Sequence, residues 1–444
     1  MNISRLLIAN RGEIAVRIIR TCREMGIETV TVYSSADKDN LHVKLADQAV
    51  CIGPPPSSQS YLVKENIVMA ALATGCEAVH PGLGFLSENA DFAAFVRQNG
   101  LVFIGPEAQA IELLGDKVRA RTTAEKFGLP VTPGTKDAVN NIDDGHKAAK
   151  ELGFPVIIKA AAGGGGKGMR IVHKAEELTD SLSIASREAE SNFADGRVFI
   201  ERYLQNPRHV ELQILADGRG KVSILGERDC SVQKNHQKLI EESPSPGVND
   251  NMRARMAEGA ARLFRELKYC GAGTIEFLVE GDNFYFMEVN ARIQVEHPVS
   301  EFVTGVDIVR QQILACTGNE MEIPGGTLPL NGWSIECRIN AGTPGKVTRL
   351  DLPGGPGIRF DSFLYNGCTV PPHYDSMLAK LIVFAQTRER ALAKMNRALG
   401  ELKIEGVKTN INQQQWIINN EVFRSGNFGT SFYQTFVKEI ENVA

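Results

Sequence analysis

The sequence predicts an α/β protein whose N-terminal part is a doubly wound parallel sheet and whose C-terminal part is mixed. Three observations favour this fold class. Apolar strand patterns alternate with amphipathic helix patterns from residue 4 to residue 104, which is typical of βαβ units. Between residues 196 and 300 the pattern changes to mostly antiparallel strands with one helix near 252–267. The length of 444 residues predicts two to four domains.

The first elements follow each other as strand, helix and strand. Residues 4–9 are apolar and predict a buried strand, and residues 10–12 form its turn. Apolar residues recur at helical spacing over 13–25, Gly26 ends this helix, and 28–33 predicts a second strand. The turn contains one glycine and no G-x-G-x-x-G, so the pattern predicts the fold without a dinucleotide.

A glycine-containing polar loop is predicted at the carboxyl end of a strand. Strands are expected at 76–79 and 101–104, with a helix near 90–98. The loop 80–89 between them occupies the position where open α/β sheets bind ligands. Further along, the polar residues 131–146 predict a domain boundary, and 324–332 predicts a linker to a third segment.

Composition excludes several function classes. The net charge of −4 provides no basic field for nucleic acid, and no uncharged apolar run reaches the ~18 residues of a membrane span. Eight scattered cysteines without a Cys-x-x-Cys pair argue against a zinc site or a disulfide framework. With no secretory cleavage pattern at the N-terminus, we expect a cytoplasmic protein.

The 42 glycines exceed the usual share of ~7%, and five of them lie within residues 163–168. Residues 155–159 predict a strand, residues 163–168 are glycines and one lysine, and 169–172 predicts another strand. Because glycine amides approach anions closely, we interpret this segment as a flap over a triphosphate. It is not a P-loop, since no Ser or Thr follows the lysine and no helix comes next. The alternative is a flexible surface hairpin.

Two glutamates are predicted to face each other across a hairpin. With a turn centred on Asp282, Glu276 lies opposite Glu288. Their face would also carry Leu278 and Phe286, and the other face Ile275, Phe277, Val279, Tyr285 and Met287. Opposed buried carboxylates repel each other unless a cation lies between them, and with Asn290 nearby this oxygen set favours Mg²⁺ or Mn²⁺. The alternative is a slipped register that leaves both glutamates on a solvated edge.

The chain beyond this hairpin carries further charged and polar groups. In an extended chain Arg292, Gln294 and Glu296 share the face of Glu288 and Asn290, which is typical of a reaction centre. Taken alone, the arginine and Glu296 would indicate an ordinary salt bridge.

Residues 227–238 form a stretch that we judge too polar for a core strand. Within it Gln233, His236 and Lys238 suit a phosphate or a ribose. A solvated loop is an equal alternative for this segment.

These motifs together resemble those of the biotin carboxylase family in the ATP-grasp superfamily. The resemblance covers essentially the whole chain and rests on the ordered segments 8–15, 80–82, 84–89, 115–117, 163–168, 227–231 and 290–297. It implies an N-terminal biotin carboxylase domain over 1–114, an ATP-grasp domain over 115–330 with a mobile lid over about 131–203, and a C-terminal domain over 331–444.

The resemblance also implies roles for individual residues. ATP would be bound by Lys117, Lys159, Gly164, Gly165, Gly166, Glu201, Leu204, His209, Gln233, His236 and Leu278. The metal would be bound by Glu276, Glu288 and Asn290. Bicarbonate and biotin would contact Lys238, Arg292, Gln294, Val295 and Arg338. The implied catalytic set is Glu296 as general base together with Arg338, Arg292 and Lys238.

The implied reaction is the ATP-dependent carboxylation of biotin with bicarbonate. Glu296 would take the bicarbonate proton, the γ-phosphate would be transferred to give carboxyphosphate, and this would decompose to CO₂ and phosphate. The phosphate would then deprotonate biotin N1 while Arg338 stabilises the developing oxyanion. The lid would keep water out.

Partners are implied as well. They are a biotin carboxyl carrier protein, carboxyltransferase subunits and a second copy of the chain, because we expect the chain to hold neither a biotinyl domain nor a carboxyltransferase. The expected pathway is fatty acid synthesis through acetyl-CoA carboxylase, and the alternative is a pyruvate or other acyl-CoA carboxylase.

The sequence departs from the family pattern at two places. Leu83 stands where many relatives have an aromatic residue, and the loop after Ala341 is reduced to Gly342-Thr343. Both lie in segments expected near biotin. Two other readings therefore stay open: a different ATP-grasp ligase, and a nucleotide-binding subunit without activity.

Overall fold

The computed structural model describes residues 2–135, 137–139, 141–161, 169–193 and 195–436. The glycines Gly164, Gly165 and Gly166, predicted to contact phosphate, lie outside the described residues. None of the described helices is long and apolar enough to cross a membrane.

The N-terminal part is a parallel sheet, as predicted, and its five strands have the order β3-β2-β1-β4-β5. Its elements are β1 (Arg5–Ile8), α1 (Gly12–Glu24), β2 (Glu28–Ser34), α2 (Leu41–Leu45), β3 (Gln48–Gly53), α3 (Lys64–Ala73), β4 (Ala78–His80), α4 (Ala90–Gln98), β5 (Val102–Phe103) and α5 (Ala108–Gly115). Leu6 and Ile8 are buried in one apolar cluster with α1, whereas Leu7 is buried in another with α3 and α4. Both faces of the sheet are therefore covered, which explains the uninterrupted apolar run of β1.

The loop after β4 lies at the carboxyl edge of this sheet, as predicted. Asn10, which follows β1, donates hydrogen bonds of 2.8 Å and 2.7 Å to the carbonyls of Pro81 and Leu83. The parallel pairing of β1 with β4 brings these two strand ends together. The edge faces the strands that carry the charged residues discussed below.

A small antiparallel sheet follows, with strand order β7-β6-β8. The elements of this region are α6 (Lys117–Lys126), α7 (Ile142–Leu152), β6 (Val156–Ala160), β7 (Met169–Val172), α8 (Leu178–Phe193) and β8 (Val198–Arg202). Val156, Ile158 and Ile200 of this sheet pack against Leu182 of α8 in a cluster of their own. The region expected to form the lid therefore has a separate small core.

The central part is antiparallel, as predicted. Its elements are β9 (Arg208–Asp217), β10 (Val222–Lys234), β11 (Gln237–Ser243), α9 (Asp250–Glu266), β12 (Cys270–Glu280), β13 (Asn283–Asn290), α10 (His297–Thr304) and α11 (Ile308–Cys316). These strands form one sheet in the order β13-β12-β9-β10-β11, which continues through the C-terminal strands Trp333–Asn340, Met377–Ala385 and Ile358–Ser362. The short strand Gly326–Thr327 pairs with β10.

The judgement that residues 227–238 are too polar for a core strand is wrong for residues 227–232, and so is the solvated-loop alternative there; residues 234–237 are exposed around the turn between β10 and β11. Residues 227–232 lie in β10 and are buried. Their charges are neutralised inside the protein: Arg253 binds Glu227, and Arg208 binds Asp229 at 3.0 Å. A strand of polar residues can be buried when each charge has a partner, and such partners are not visible in the local sequence.

The C-terminal part adds the elements β14 (Gly326–Thr327), β15 (Trp333–Asn340), β16 (Gly345–Lys346), β17 (Arg349–Asp351), β18 (Ile358–Ser362), β19 (Thr369–Val370), β20 (Met377–Ala385), α12 (Arg388–Glu401), β21 (Lys403–Glu405), α13 (Ile411–Asn419), α14 (Glu421–Ser425) and α15 (Phe432–Thr435). Because β15 pairs with β11, the segment after the expected linker extends the central sheet. This pairing brings Arg338 beside the central strands.

The shortened loop after Ala341 is a tight turn between β15 and β16. The backbone amide of Ala341 donates to the carbonyl of Ser376 at 2.7 Å, and that of Gly342 donates to the carbonyl of Lys408 at 2.8 Å. The turn is thus held by the segments that precede β20 and follow β21.

Candidate active site

The hairpin of β12 and β13 pairs Glu276 with Glu288, as predicted. Near the turn, however, the strands follow another register, in which Phe277 faces Phe286. The pairing skips Met287, and this bulge restores the predicted register at the glutamates. Glu276 is buried, and the Glu288 side chain keeps 33% of its surface exposed on the edge strand.

The bulge changes which apolar residues share a face with the glutamates. The predictions that Phe286 lies on the glutamate face and Tyr285 on the opposite face are wrong. Phe286 pairs with Phe277 and is buried in the core, whereas Tyr285 pairs with Leu278 and both are half-buried. Leu278 lies on the glutamate side, where it pairs with His209 of β9.

Glu276 is the most heavily bonded of the predicted site residues. Its Oε1 accepts hydrogen bonds from Asn290 Nδ2 at 3.0 Å, Gln294 Nε2 at 2.8 Å and Lys238 Nζ at 3.0 Å. Its Oε2 lies 2.9 Å from His209 Nε2. Burial alone would raise the pKa of Glu276, but the charges of Lys238 and His209 lower it well below its ordinary value. The Glu276 carboxylate is therefore ionised, and Lys238 and His209 already balance its charge.

Glu288 is less well neutralised. Displacement of water by the surrounding protein raises its pKa, the charge of Glu276 raises it further, and Lys117 offsets this only in part. Lys117 Nζ lies 3.7 Å from Glu288 Oε2, at the start of α6. A second cation near the two carboxylates would relieve this repulsion. Oxygen ligands from Glu276, Glu288 and Asn290 fit a hard divalent ion such as Mg²⁺ or Mn²⁺.

Lys238 occupies the centre of a second set of carboxylates. Its Nζ lies 2.7 Å from Glu211, 3.0 Å from Glu276 and 2.6 Å from Glu296. Although burial alone would lower its pKa, these carboxylates raise it well above the ordinary value. Two groups of described side chains have the spacing of a metal site, namely His209, Glu211 and Glu276, and Glu211, Cys230 and Glu296. The Lys238 ammonium already neutralises the carboxylates of these two groups, and Mg²⁺ disfavours imidazole and thiol ligands. Glu276, Glu288 and Asn290 therefore fit Mg²⁺ better than either group does.

Glu296 lies between two cations at the start of α10. Its Oε1 accepts a hydrogen bond of 2.6 Å from Lys238, and its Oε2 accepts one of 3.0 Å from Arg338 Nη2. Burial would raise the pKa of Glu296, but Lys238, Arg338 and Arg228 lower it well below its ordinary value. Arg338 also donates from Nε to Glu241 at 2.5 Å, and burial raises the pKa of Glu241 to about 7 against the opposing effect of Arg338.

Arg292 is oriented by the N-terminal sheet. Its Nε donates to Glu88 Oε2 at 2.7 Å, and its Nη2 donates to Asn290 Oδ1 at 3.1 Å. Glu88 belongs to the loop 80–89 and also accepts a 2.9 Å hydrogen bond from the amide of Ala291. The loop predicted to bind ligand thus positions the arginine of the site.

Two buried cations form hydrogen bonds with the segment between Arg292 and Glu296. Arg228 of β10 donates to Gln294 Oε1 at 2.7 Å and to Glu211 at 2.5 Å. Lys380 of β20 donates to the carbonyl of Val295 at 2.8 Å. No role was predicted from the sequence for Glu88, Arg228, Glu211, Glu241 or Lys380. Glu88 and Arg228 lie in the motif segments 84–89 and 227–231, which could have indicated a functional role for them. No motif in the neighbouring sequence distinguished the other three residues.

Lys159 and Glu201 lie in the small sheet and bind each other. Lys159 Nζ donates to Glu201 Oε2 at 2.5 Å, and Arg121 donates to the other oxygen. Glu201 and Leu204 are both buried. Lys159, Glu201 and Arg121 thus form one ion-paired group.

Gln233 and His236, which come from the same hairpin, lie in different environments. Gln233 Nε2 is 2.8 Å from His209 Nδ1, which connects it to Glu276 through the imidazole. His236 lies in the turn between β10 and β11 and is exposed. The structure therefore brings Gln233 into the cluster and leaves His236 at its edge.

Family models match three consecutive parts of this chain. The model described as "Biotin carboxylase, N-terminal domain" matches residues 2–111, "Carbamoyl-phosphate synthase L chain, ATP binding domain" matches 116–323, and "Biotin carboxylase C-terminal domain" matches 336–435. Among curated proteins, Biotin carboxylase 1 of Bacillus subtilis is 49% identical, with 98% of this chain and 99% of that protein covered. Biotin carboxylase of Haemophilus influenzae is also 49% identical, with 97% and 98% covered.

Solved structures with similar folds come from the same family. A biotin carboxylase from Campylobacter jejuni, in a complex named as β-γ-ATP, superposes with a TM-score of 0.94 at 45% identity, covering 98% of this chain and 99% of that one. The biotin carboxylase domain dimer of 2-oxoglutarate carboxylase from Hydrogenobacter thermophilus, with MgADP, ADP and bicarbonate, superposes with a TM-score of 0.93 at 42% identity, covering 99% of each chain.

Proposed function

Because this chain belongs to the biotin carboxylase family, we propose that the cluster around Lys238 is where it carboxylates biotin with ATP and bicarbonate. The chain is an ATP-dependent ligase of the ATP-grasp type. The observation that carries the assignment of the site is the position of Glu296, a buried carboxylate held between Lys238 and Arg338 beside the paired glutamates.

Glu296 has the properties of a base that is activated by its substrate. With both cations bound to it, Glu296 is ionised but weakly basic, since its pKa is held well below the ordinary value once the effect of burial is overcome. Bicarbonate is an anion, and it would attract Lys238 and Arg338 away from the carboxylate. The pKa of Glu296 would then rise toward that of the proton it accepts, which favours proton transfer.

The phosphoryl transfer needs positioning and charge neutralisation more than covalent chemistry. Lys117 and Lys159 supply cations for ATP phosphates, and Glu276, Glu288 and Asn290 would hold Mg²⁺ or Mn²⁺. The metal would supply positive charge against the phosphate oxygens. Arg292, held by Glu88, would orient the bicarbonate oxygens through its planar guanidinium.

Arg338 is suited to the second half of the reaction. The carboxyphosphate formed from bicarbonate would break down to CO₂ and phosphate, and the phosphate would take the N1 proton of biotin. Arg338 carries a full positive charge in a buried position, anchored by Glu241. It would stabilise the negative oxygen that develops on the ureido group of biotin.

The test is carboxylation of free biotin, measured as ADP release that depends on both bicarbonate and biotin. We expect Glu296→Gln to lose at least about a hundredfold in turnover, the usual size of general-base catalysis, while ATP affinity changes little. Glu322→Gln is the matched control, because Glu322 is an exposed glutamate paired with Arg310. Turnover of Glu296→Gln within a few fold of the control would remove Glu296 from the role of base.

The same assay separates the two other readings. ADP release that ignores bicarbonate and biotin would indicate a different ATP-grasp ligase. ATP binding without any turnover would indicate a nucleotide-binding subunit without activity.

The partners follow from the proposed reaction. We propose a biotin carboxyl carrier protein as the biotin donor, carboxyltransferase subunits as the next enzyme, a homodimer, and a cytoplasmic location. Acetyl-CoA carboxylase in fatty acid synthesis is the proposed setting. Pyruvate is a second candidate acceptor, because a similar solved structure, at 43% identity, is the biotin carboxylase subunit of pyruvate carboxylase. Reconstitution with carrier and transferase, supplied with acetyl-CoA or pyruvate, distinguishes these acceptors.

A further inference from the structure

Cys270 and Cys316 lie at a junction of two elements outside the proposed active site. Cys270 is the first residue of β12, and Cys316 is the last residue of α11. Their sulfur atoms are 3.8 Å apart, and a disulfide has an S–S distance of about 2.05 Å. We propose that these two thiols form a modification site, a reversible intramolecular disulfide made by hydrogen peroxide or a related two-electron oxidant.

The backbone around the two cysteines brings the sulfurs together. Gly271 has a φ of +104°, and a Cβ at this position would lie 3.3 Å from Cys316 Sγ and 3.5 Å from the Cα of Gly105. A side chain here would therefore push the end of α11 away from β12. Cys316 Sγ also lies 3.9 Å from the carbonyl oxygen of Gly105. The absence of a side chain at Gly271 thus allows Cys316 to approach Cys270.

The two thiols differ in reactivity. The hydrogen bond with Cys316 lowers the pKa of Cys270 and is the largest effect on it. Burial and the carboxylate of Asp217 raise this pKa, the guanidinium of Arg97 lowers it, and the net result is a lowered pKa. Arg97 is held at this junction by its 3.2 Å hydrogen bond to the carbonyl of Gly105. The hydrogen bond to Cys270 and burial raise the pKa of Cys316 well above the ordinary value. Cys270 is therefore the attacking thiolate, and Cys316 is the thiol that resolves the oxidised product.

Access for an oxidant is available, since both cysteines are partly exposed. The Cys270 thiolate attacks one oxygen of hydrogen peroxide, the O–O bond breaks, and the hydroxide that leaves takes a proton to become water. The resulting sulfenic acid is attacked by the sulfur of Cys316, the S–O bond breaks, and the thiol proton leaves with the second hydroxide as water. Two thiols are thereby oxidised to one disulfide while one peroxide is reduced to two waters.

The experiment uses the full chain carrying Cys51→Ser, because Cys51 is exposed and would compete for the oxidant. The chain has eight cysteines, so this variant has seven thiols. After brief treatment with a few equivalents of hydrogen peroxide, we expect titration in denaturant to find five thiols. Dithiothreitol should restore all seven by thiol–disulfide exchange.

Trypsin and mass spectrometry under alkylating conditions identify the bond. Cleavage after Lys268 and Arg292 releases the peptide of Cys270, and cleavage after Arg310 and Arg338 releases the peptide of Cys316. The oxidised sample should contain these two peptides joined, with the mass of a disulfide. The second peptide also contains Cys337, so the assignment requires a variant in addition.

Cys316→Ser is the matched control. In this variant we expect the joined peptide to disappear and a sulfenic acid on Cys270 to be trapped by dimedone, because the resolving thiol is missing. A joined peptide that persists in Cys316→Ser would assign the bond to Cys337 and overturn the proposal. So would a thiol count that stays at seven in the oxidised parent, or oxidation of Cys270 to the sulfinic acid without a disulfide.

Discussion

Removal of the Lys238 ammonium tests the electrostatic account of the cluster most directly. Lys238→Met keeps much of the side-chain volume but leaves Glu211, Glu276 and Glu296, whose oxygens lie 2.6–3.0 Å from Nζ, without their common cation. Breaking a buried pair by deleting one partner costs about 3–5 kcal/mol. We expect a value near the lower end, about 3 kcal/mol at pH 8, because each carboxylate keeps one other basic side chain as a partner.

Those remaining basic partners are distributed one to each carboxylate. Arg228 stays on Glu211 at 2.5 Å, His209 on Glu276 at 2.9 Å and Arg338 on Glu296 at 3.0 Å.

The loss should depend on pH, and its sign follows from the direction of the shifts. In the parent protein the pKa values of Glu276 and Glu296 are held well below their unfolded values by Lys238 and its neighbours against the effect of burial. Their ionised forms thus contribute stability above the unfolded pKa, and this contribution disappears as the pH falls through the folded pKa. In the variant these pKa values rise. At low pH the carboxyls accept protons and relieve the repulsion, so the difference between variant and parent should shrink.

Urea unfolding of both proteins at pH 8 and pH 5 measures this difference. We expect it to narrow by at least about 1.4 kcal/mol between the two values, the equivalent of one pKa unit. Lys403→Met removes an exposed lysine of β21 and serves as the control for a general effect of charge. A loss below about 1 kcal/mol, or an equal loss at both pH values, would refute the account of Lys238 as the common counter-ion.

Three further predictions concern the metal carboxylates, the core behind them and a helix start. Glu288→Gln removes a proposed metal ligand and also its repulsion with Glu276. Isothermal calorimetry should therefore show weaker Mg²⁺-dependent ATP binding, and urea unfolding of the metal-free protein should show no loss of stability. An unchanged Mg²⁺ dependence of ATP binding would contradict the metal assignment. Phe277→Ala deletes a fully buried ring and should cost about 3–5 kcal/mol in urea unfolding, and a cost below about 1 kcal/mol would mean that the hairpin core is not packed as described. Asp116→Ala removes the cap that accepts from the amides of Val118 and Arg119; we expect a loss of about 1 kcal/mol, which Asp116→Asn should largely restore.

Much of the fold was predictable from periodicity. The four strands and two helices predicted in the N-terminal part lie within about two residues of their predicted bounds, whereas α2, β3, α3 and α5 were not predicted. A strand covered on both faces must be apolar at every position, as residues 6–8 are. The pairing of Glu276 with Glu288 was also predicted, but from a register that holds only beyond the bulge at Met287. The sequence does not reveal a bulge, because one skipped residue leaves the alternation almost unchanged.

Residues 227–232 show the opposite case. Their polarity indicated a loop, yet they form a buried strand because Arg208, Arg253 and Glu211 neutralise them from other elements. A rule based on local hydrophobicity cannot include partners that are distant in sequence.

The order of the amino acids was enough to identify the chemical groups of this protein: the glutamate pair, the arginine and carboxylate that follow, and the lysines for phosphate. The charge state of those groups depends on the folded arrangement of the strands. Lys238 comes from β11, Glu211 from β9, Glu276 from β12 and Arg338 from β15. The sheet brings Lys238 within 3.0 Å of both glutamates, and it brings Lys238 and Arg338 within 3.0 Å of Glu296. The physical reason is that a carboxyl's pKa depends on burial and on charges a few ångströms away, and these neighbours are defined by strand order rather than by position along the chain.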